Sequence, residues 1–296
     1  MLKGSIVAIV TPFKNNGIDE KNLRELVEFQ IANGTSGIVP CGTTGESPTL
    51  THKEHDQVIE ITVDAVAGRI PVIAGTGSNS TAEAIELTKH AAKAGADGAL
   101  VVTPYYNKPT QKGLYLHFKA VADSAQIPII LYNIEGRTAR NIETETVARL
   151  FKDCENIVGV KEASGNLTQA RAVKQACGED FILLSGDDAF TLEMMEFGGE
   201  GVISVAANIV PADIAAMVEA FNNGDKKRAY AINERLKPLI KALFIETNPI
   251  PVKKAAEMLG LCSGSLRLPL CDMDKANEAE LKEALEAYGI LSTTKG

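Results

Sequence analysis

The sequence predicts a (β/α)8 barrel over residues 1–224, followed by a helical subdomain over residues 225–296. Short β-branched runs alternate along the chain with segments of helical periodicity, and the runs are apolar at most positions. Strands of this kind are typical of parallel sheets that are covered on both faces. Eight successive βα units close most simply as a barrel. The alternative is an open, doubly wound sheet, although no GxGxxG motif opens a helix after the first strand.

The eight predicted strands precede the helical subdomain. In chain order they read SIVAIVTP, SGIVPCGTTGE, IPVIAGTG, GALVVTPYY, IPIILYN, IVGVKEASG, FILLSGDD and GVISVAAN. Most of them end in glycine, hydroxyl-bearing or charged residues. Because the active sites of barrels lie at the carboxyl ends of the strands, these ends are where a functional site is expected.

The segments between the strands carry apolar residues at helical spacing. In the first segment these residues are Leu23, Leu26, Val27 and Ile31. Helix starts are indicated by Asp19 before the first helix, by the capping-box pair Thr51 and Glu54, and by Thr81 before AEAIELTKHAAKAG. After residue 225, three helical stretches follow without a strand: DKKRAYAINERLKPLIKALFIE, IPVKKAAEMLG and KANEAELKEALEAYGIL.

The composition limits the range of partners. A net charge of −8 argues against nucleic acid and acidic membranes, so an anionic substrate must be held by local positive groups and backbone amides. The five cysteines show no CxxC pair, which suits a reducing cytosol. The first apolar run is too short for a signal segment or a membrane span. We therefore expect a cytoplasmic protein without nucleic-acid or membrane partners.

Lys161 is a charged residue at the end of an apolar strand. If side chains alternate strictly, Ile157, Gly159 and Lys161 face the barrel interior, whereas Val158 and Val160 face the helices. Desolvation inside the barrel favours the neutral, nucleophilic amine. Tyr132 ends the neighbouring strand, so its phenol could carry protons while the amine forms a Schiff base with a ketone. The alternative is an interior lysine that pairs with a carboxylate for structural reasons.

Other strand ends narrow the ligand class. The turn CGTTGE offers hydroxyls and amides suited to a carboxylate, although a capped glycine-rich turn explains it equally well. The tyrosines of TPYYN could be core aromatics. Asp187 and Asp188 end the seventh strand and disfavour a phosphate there, so a small unphosphorylated keto acid fits better. No histidine pair has HExxH spacing, and we expect neither a metal nor a cofactor.

Motifs along nearly the whole chain are similar to those of the dihydrodipicolinate synthase (4-hydroxy-tetrahydrodipicolinate synthase) family. They are GSIVAIVTPF, GTTGES, VIAGTGSNSTAEAIELT, VVTPYYNKPTQKGLYLHF, VGVKEASGNL, LLSGDD, GVISVAANIVP and NPIPVKKA. The resemblance implies a class I lyase that condenses pyruvate with L-aspartate-4-semialdehyde in the diaminopimelate branch of lysine biosynthesis. It also implies a homotetramer built from two tight dimers.

The resemblance assigns roles to individual residues. Lys161 matches the Schiff-base lysine, and Tyr132 matches the general acid/base. Thr43 and Tyr106 match its partners in a proton relay, with Tyr106 coming from the neighbouring subunit. The matches to substrate-binding positions are Thr44 for the pyruvate carboxylate, Gly186 and Ile203 for backbone contacts, and Arg137 for the carboxylate of the semialdehyde.

Two further implications concern specificity and regulation. N-acetylneuraminate lyase and the aldolases of keto-deoxy sugar acids or hydroxy-oxoglutarate share this barrel and lysine, so a sibling aldolase is the alternative. Glu135 and Ala139 stand where the family usually has proline and glycine beside Arg137, and the Glu135 carboxylate could compete for the arginine. Positions that bind inhibitory lysine in feedback-inhibited members match Ser47, His52, His55, Asn79, Glu83 and Tyr105.

Overall fold

The structure, a computed structural model, describes residues 2–292. Its strands, in chain order, are β1 (Gly4–Ala8), β2 (Phe13–Lys14), β3 (Gly17–Ile18), β4 (Gly37–Val39), β5 (Ile73–Gly75), β6 (Gly98–Val102), β7 (Ile129–Asn133), β8 (Ile157–Glu162), β9 (Ile182–Ser185) and β10 (Gly201–Ser204). β2 and β3 form a small antiparallel hairpin. The other eight strands lie parallel in the order β4-β1-β10-β9-β8-β7-β6-β5. The strands at the two ends of this order, β4 and β5, are joined by a parallel bridge between Ile38 and Val72. The bridge closes the sheet, so the predicted barrel is confirmed.

Helices surround this barrel and follow it. They are α1 (Glu20–Ala32), α2 (His52–Val66), α3 (Thr81–Ala94), α4 (Gln111–Ser124), α5 (Glu135–Thr138), α6 (Thr144–Asp153), α7 (Leu167–Cys177), α8 (Thr191–Met195), α9 (Pro211–Asn222), α10 (Lys226–Leu243), α11 (Ile250–Met258) and α12 (Lys275–Tyr288). Within residues 2–292, no helix combines the length and the apolarity needed to cross a membrane.

Local side-chain hydrogen bonds explain where several helices begin. The Asp19 carboxylate caps α1, and Thr51 and Glu54 form a reciprocal capping box at α2. The predicted start of α3 is wrong by one residue: Thr81 is already helical, and the hydroxyl of Ser80 accepts from the Glu83 amide. Since both residues bear hydroxyls, the sequence pattern alone could not separate them.

The strand β8 departs from strict alternation. Ile129 of β7 pairs with Ile157, but Ile130 pairs with Gly159, so Val158 is an extra residue opposite β7. As a result Ile157 and Val160 pack under the helices, whereas Val158 packs against the apolar cluster inside the barrel. The predicted helix-facing position of Val158 and the predicted interior position of Ile157 are therefore both wrong. The bulge leaves Tyr132 and Lys161 directly opposite each other.

The helices after residue 225 pack on the barrel. Leu236, Leu239 and Leu243 of α10 belong to the same buried cluster as Val7 and Val10 at the start of the barrel. The division of the chain between residues 224 and 225 stays a prediction. Residue 1 and residues 293–296 of the two predicted segments lie outside the described residues.

Candidate active site

The site is built around an amine and a phenol on adjacent strands. Lys161 Nζ lies 4.3 Å from the centre of the Tyr132 ring, and both side chains are buried. Among residues 2–292, no carboxylate lies within 4.0 Å of this amine, in contrast to the buried Lys253, which pairs with Glu46. Lys161 therefore lacks the counter-ion that a structural lysine would need. An unpaired amine inside a barrel is suited to nucleophilic attack.

Gly186, at the end of β9, makes room for the lysine. A Cβ atom at this position would lie 2.9 Å from Lys161 Cε and 2.5 Å from Ala163 Cβ. Gly186 lines a cavity of about 50 Å³ together with Lys161 and Tyr132. The close approach of backbone and lysine stem explains why only glycine fits here.

The turn after β4 contributes hydroxyl groups to the same cavity. Thr43 and Thr44 both line it, and Thr44 is buried. The hydroxyl oxygen of Thr44 accepts a hydrogen bond from Asn248 Nδ2 at 3.0 Å. A hydroxyl carries one proton and two lone pairs, so Thr44 keeps a proton to donate to a substrate oxygen.

Arg137 lies at the mouth of the cavity on α5. One of its guanidinium nitrogens donates to the backbone carbonyl of Asn248 at 3.1 Å, and the residue as a whole is exposed. In the described residues Glu135 forms no ion pair with Arg137. Ala139 adopts a left-handed conformation, φ 56°, and its amide donates to the Glu135 carbonyl as the cap of α5. Residue 139 therefore has the backbone conformation that favours glycine, although it is an alanine.

Two predicted residues are not brought into this cavity within one chain. Tyr106 has a φ of 71° and is 88% exposed. Ile203 is buried inside the barrel on β10, where it pairs with Ile6. Neither residue is among those that line the two cavities at the strand ends.

A second cavity of about 610 Å³ adjoins the first and shares Thr43, Tyr132 and Arg137 with it. Most of the residues matched to the lysine-binding positions line it, namely Ser47, His52, His55, Glu83 and Tyr105. Asn79 does not line it, and its backbone carbonyl accepts from the side chain of Asn107.

Hydrogen bonds link several polar side chains of the larger cavity. His52 Nε2 lies 2.7 Å from Glu83 Oε1, and the Ser78 hydroxyl also donates to Glu83, which lowers the pKa of that carboxyl. Burial lowers the pKa of His55, whose Nε2 lies 2.9 Å from the Gly75 carbonyl. His55 is therefore neutral at pH 7, and the carboxylate of Glu83 gives the cavity an anionic group that suits an ammonium ligand.

Asn248 was not predicted as a site residue. It occurs in NPIPVKKA, a motif that carried the resemblance without an assigned role. The signal was weak because Asn248 lies far along the chain from the strand ends that it contacts. In the described part of the chain, no three His, Cys, Asp or Glu side chains are grouped closely enough to hold a metal ion.

Fold and site together define a class of protein, the lysine-dependent lyases of the (β/α)8 barrel type. A family model described as the dihydrodipicolinate synthetase family matches residues 1–288, and the chain belongs to this family. It is 61% identical to 4-hydroxy-tetrahydrodipicolinate synthase of Syntrophus aciditrophicus (strain SB) over 291 residues, which are 98% of this chain and 100% of the relative. The resemblance found in the motifs is confirmed.

Solved structures agree with this assignment. Dihydrodipicolinate synthase from Aquifex aeolicus superimposes with a TM-score of 0.97 at 53% identity, covering 99% of this chain and 100% of the other. The enzyme from Cyanidioschyzon merolae, solved with lysine bound, has a TM-score of 0.95 at 46% identity, covering 98% of this chain and 99% of the other.

Proposed function

We propose that this enzyme condenses pyruvate with L-aspartate-4-semialdehyde to give 4-hydroxy-tetrahydrodipicolinate. The observation that carries the proposal is the buried amine of Lys161, without a counter-ion in the described residues and 4.3 Å from the Tyr132 ring. Relatives of the same family are named for this reaction. No observation in the cavity favours a sibling aldolase.

The first half of the reaction forms the Schiff base. The neutral amine of Lys161 attacks the C2 carbonyl of pyruvate to give a carbinolamine, and loss of water then gives the imine. Tyr132 supplies the proton that lets the hydroxyl leave as water and accepts a proton in the step before it. Thr44 donates to the pyruvate carboxylate, while Gly186 contributes a backbone contact. A backbone contact from Ile203, which does not line the cavity, stays a prediction.

The second half joins the two substrates. Tyr132, deprotonated by the loss of water, accepts a proton from C3 of the imine to give an enamine. C3 of the enamine attacks the aldehyde carbon, and Tyr132 returns the proton to the new alkoxide. The amino group of the second substrate then displaces Lys161 from the imine carbon, which closes the ring and regenerates the free amine. Arg137 holds the carboxylate of the second substrate at the mouth of the cavity.

Thr43 and Tyr106 extend the proton relay from Tyr132. Because Tyr106 is exposed on its own chain, we propose that it enters the site of a neighbouring subunit in a tight dimer, two of which form a tetramer. Mixing subunits of the Tyr106→Phe and Lys161→Met variants tests this arrangement. If the relay crosses subunits, mixed dimers contain one complete site and regain activity. If it does not, the mixture is no more active than its parts.

Borohydride trapping tests the mechanism most directly. Incubation with pyruvate and borohydride should add one reduced pyruvyl group to Lys161, identified by intact mass and peptide mapping. Lys174 and Lys253 are internal controls, because both amines are buried but hydrogen-bonded within the protein. A folded protein without the adduct would rule out the mechanism. A coupled assay with L-aspartate-4-semialdehyde then tests the second substrate.

We also propose that L-lysine inhibits the enzyme from the cavity of about 610 Å³. Glu83 and His52 would contact its charged groups, with His55, Ser47 and Tyr105 around them. The role of Asn79, which does not line this cavity, stays a prediction. Activity should fall at millimolar L-lysine, and the His55→Ala variant should lose this inhibition. Activity that stays unchanged, or inhibition that survives in the variant, would refute the regulatory site.

The working compartment we propose is the cytoplasm, in keeping with the free cysteines of the described residues.

A further inference from the structure

Asn248 contacts both proposed substrate-binding groups, Thr44 and Arg137. It lies between α10 and α11, is 5% exposed and lines the same cavity of about 50 Å³ as Lys161. Its side-chain nitrogen donates to Thr44 Oγ1 at 3.0 Å, and its backbone carbonyl accepts from Arg137 at 3.1 Å. Among the described residues, its side-chain oxygen Oδ1 is buried and has no hydrogen-bond partner.

A buried amide oxygen without a partner is uncommon in native proteins, because leaving a buried acceptor unpaired costs about 1–3 kcal/mol. Here the residue that bears the unpaired atom lines a ligand cavity. An amide oxygen can only accept hydrogen bonds. The partner that it lacks is therefore a donor, and a bound ligand is the source that the cavity provides.

The identity of the donor rests on the proposed function. The pyruvate anion bears no N–H or O–H group and cannot satisfy Oδ1. L-aspartate-4-semialdehyde carries an ammonium group on the carbon that also bears its carboxylate. Since Arg137 is proposed to bind this carboxylate and donates to the backbone carbonyl of Asn248, the ammonium group comes close to the Asn248 side chain.

We propose that Asn248 determines specificity for the second substrate, because its Oδ1 accepts a hydrogen bond from the α-ammonium group of the semialdehyde. The same side chain positions Thr44 for the first substrate. Since Thr44 Oγ1 accepts from Asn248 Nδ2, its proton is free to be donated to the pyruvate carboxylate. One amide thus serves both substrates, through its oxygen and its nitrogen respectively.

Two variants separate the roles of the oxygen and the nitrogen. Asn248→Leu keeps the shape and the backbone contact to Arg137 but removes both the acceptor and the donor. Asn248→Asp keeps an acceptor at the Oδ1 position but cannot donate to Thr44. For each, we measure kcat/KM for L-aspartate-4-semialdehyde at saturating pyruvate, KM for pyruvate, and the competitive inhibition constant of succinic semialdehyde, which lacks only the amino group.

In Asn248→Leu, kcat/KM for the semialdehyde should fall about 10- to 150-fold, the loss of a hydrogen bond to a charged group. The inhibition constant of succinic semialdehyde should change less than about threefold, because this compound has no ammonium group to lose. In Asn248→Asp, kcat/KM should stay within about threefold of wild type while KM for pyruvate rises about tenfold, the loss of one hydrogen bond.

Equal losses for both aldehydes in Asn248→Leu would overturn the proposal and would mean that water alone satisfies Oδ1. Thermal unfolding and borohydride trapping of pyruvate verify that each variant is folded and forms the Schiff base. Wild-type enzyme that traps pyruvate but consumes no L-aspartate-4-semialdehyde would refute the proposed function and this inference together. The inference alone would be refuted if the wild-type enzyme consumes L-aspartate-4-semialdehyde and the Asn248→Leu variant discriminates between the two aldehydes as well as wild type does.

Discussion

Lys253 Nζ lies 2.5 Å from Glu46 Oε1, and the side chains of both residues are completely buried. The amine also donates to the Ser265 carbonyl at 2.6 Å and lies 4.1 Å from the centre of the Phe13 ring. The second carboxylate oxygen accepts from the Arg267 amide at 3.1 Å. The ammonium group of Lys253 and the carboxylate of Glu46 therefore each have a further hydrogen-bond partner besides each other.

The ion pair also explains how the turn after β4 is held. Glu46 adopts a left-handed conformation two residues after Thr44, and Lys253 lies on α11. The pair therefore fixes the turn that carries Thr43 and Thr44 to the helices that follow the barrel.

We expect the Lys253→Met variant to lose about 3–5 kcal/mol of unfolding free energy, because the buried carboxylate of Glu46 remains without its cation. Urea unfolding of wild type and variant measures this loss. Lys254→Met is the matched control on the same helix: its partner Glu257 is partly exposed, so its loss should stay below about 1 kcal/mol. Similar losses in the two variants would contradict the role of the buried pair.

Gly186→Ala should slow trapping of pyruvate on Lys161 at least about tenfold, because the added methyl group displaces the lysine stem from its reactive position. Overpacking should also cost about 1–3 kcal/mol of stability. The rate of adduct formation, followed by mass spectrometry, measures the first effect. Gly136→Ala provides the comparison, since its Cβ would meet nothing within 4 Å. Wild-type trapping rates in Gly186→Ala would refute the steric argument.

Tyr132→Phe should lower kcat about 100- to 10,000-fold, the usual contribution of a positioned acid/base, while the ring still packs against Lys161. Steady-state kinetics and thermal unfolding together test this expectation. Tyr115→Phe, which removes an exposed phenol bonded to Asp153, should leave kcat unchanged. A Tyr132→Phe enzyme with nearly full activity would show that another group carries the protons.

His117 should make stability depend on pH. Burial lowers its pKa to about 4, and its Nε2 has no partner in the described residues. Unfolded histidine titrates near 6.5, so as pH falls from about 6.5 toward 4 the unfolded chain gains a proton that the folded chain does not. Wild type should therefore lose about 2 kcal/mol between pH 7.5 and pH 5 from this group.

His117→Gln removes this titration, so the stability gap between wild type and variant should narrow by about 2 kcal/mol over the same pH range. Urea unfolding at both pH values measures the gap. All other titrating groups are shared and cancel in the comparison. A gap that stays constant with pH would mean that His117 titrates alike in the folded and unfolded states.

The closeness of Lys161 and Tyr132 inside the barrel was predictable, because it depends on the order of the strands and on the alternation of side chains from Gly159 to Lys161. The position of Val158 was not, because a bulge is set by the partner strand and leaves no mark in the alternation. Thr44 was found at a strand end and Arg137 through the family resemblance, whereas Asn248 contacts them from a segment that contains no strand. Contacts between residues so distant in the chain carry no local signal.

The anchoring of the β4 turn by α11 has a consequence for the order of events during translation. All eight barrel strands have been made once the ribosome passes Ser204, but Asn248 and Lys253 are still to come. Until they emerge, Glu46 lacks its cation, and Thr44 and Arg137 lack the residue that hydrogen-bonds to both of them. All barrel strands can therefore be made before the groups proposed to bind substrate are held in place, and these last contacts form only in the final stage of synthesis.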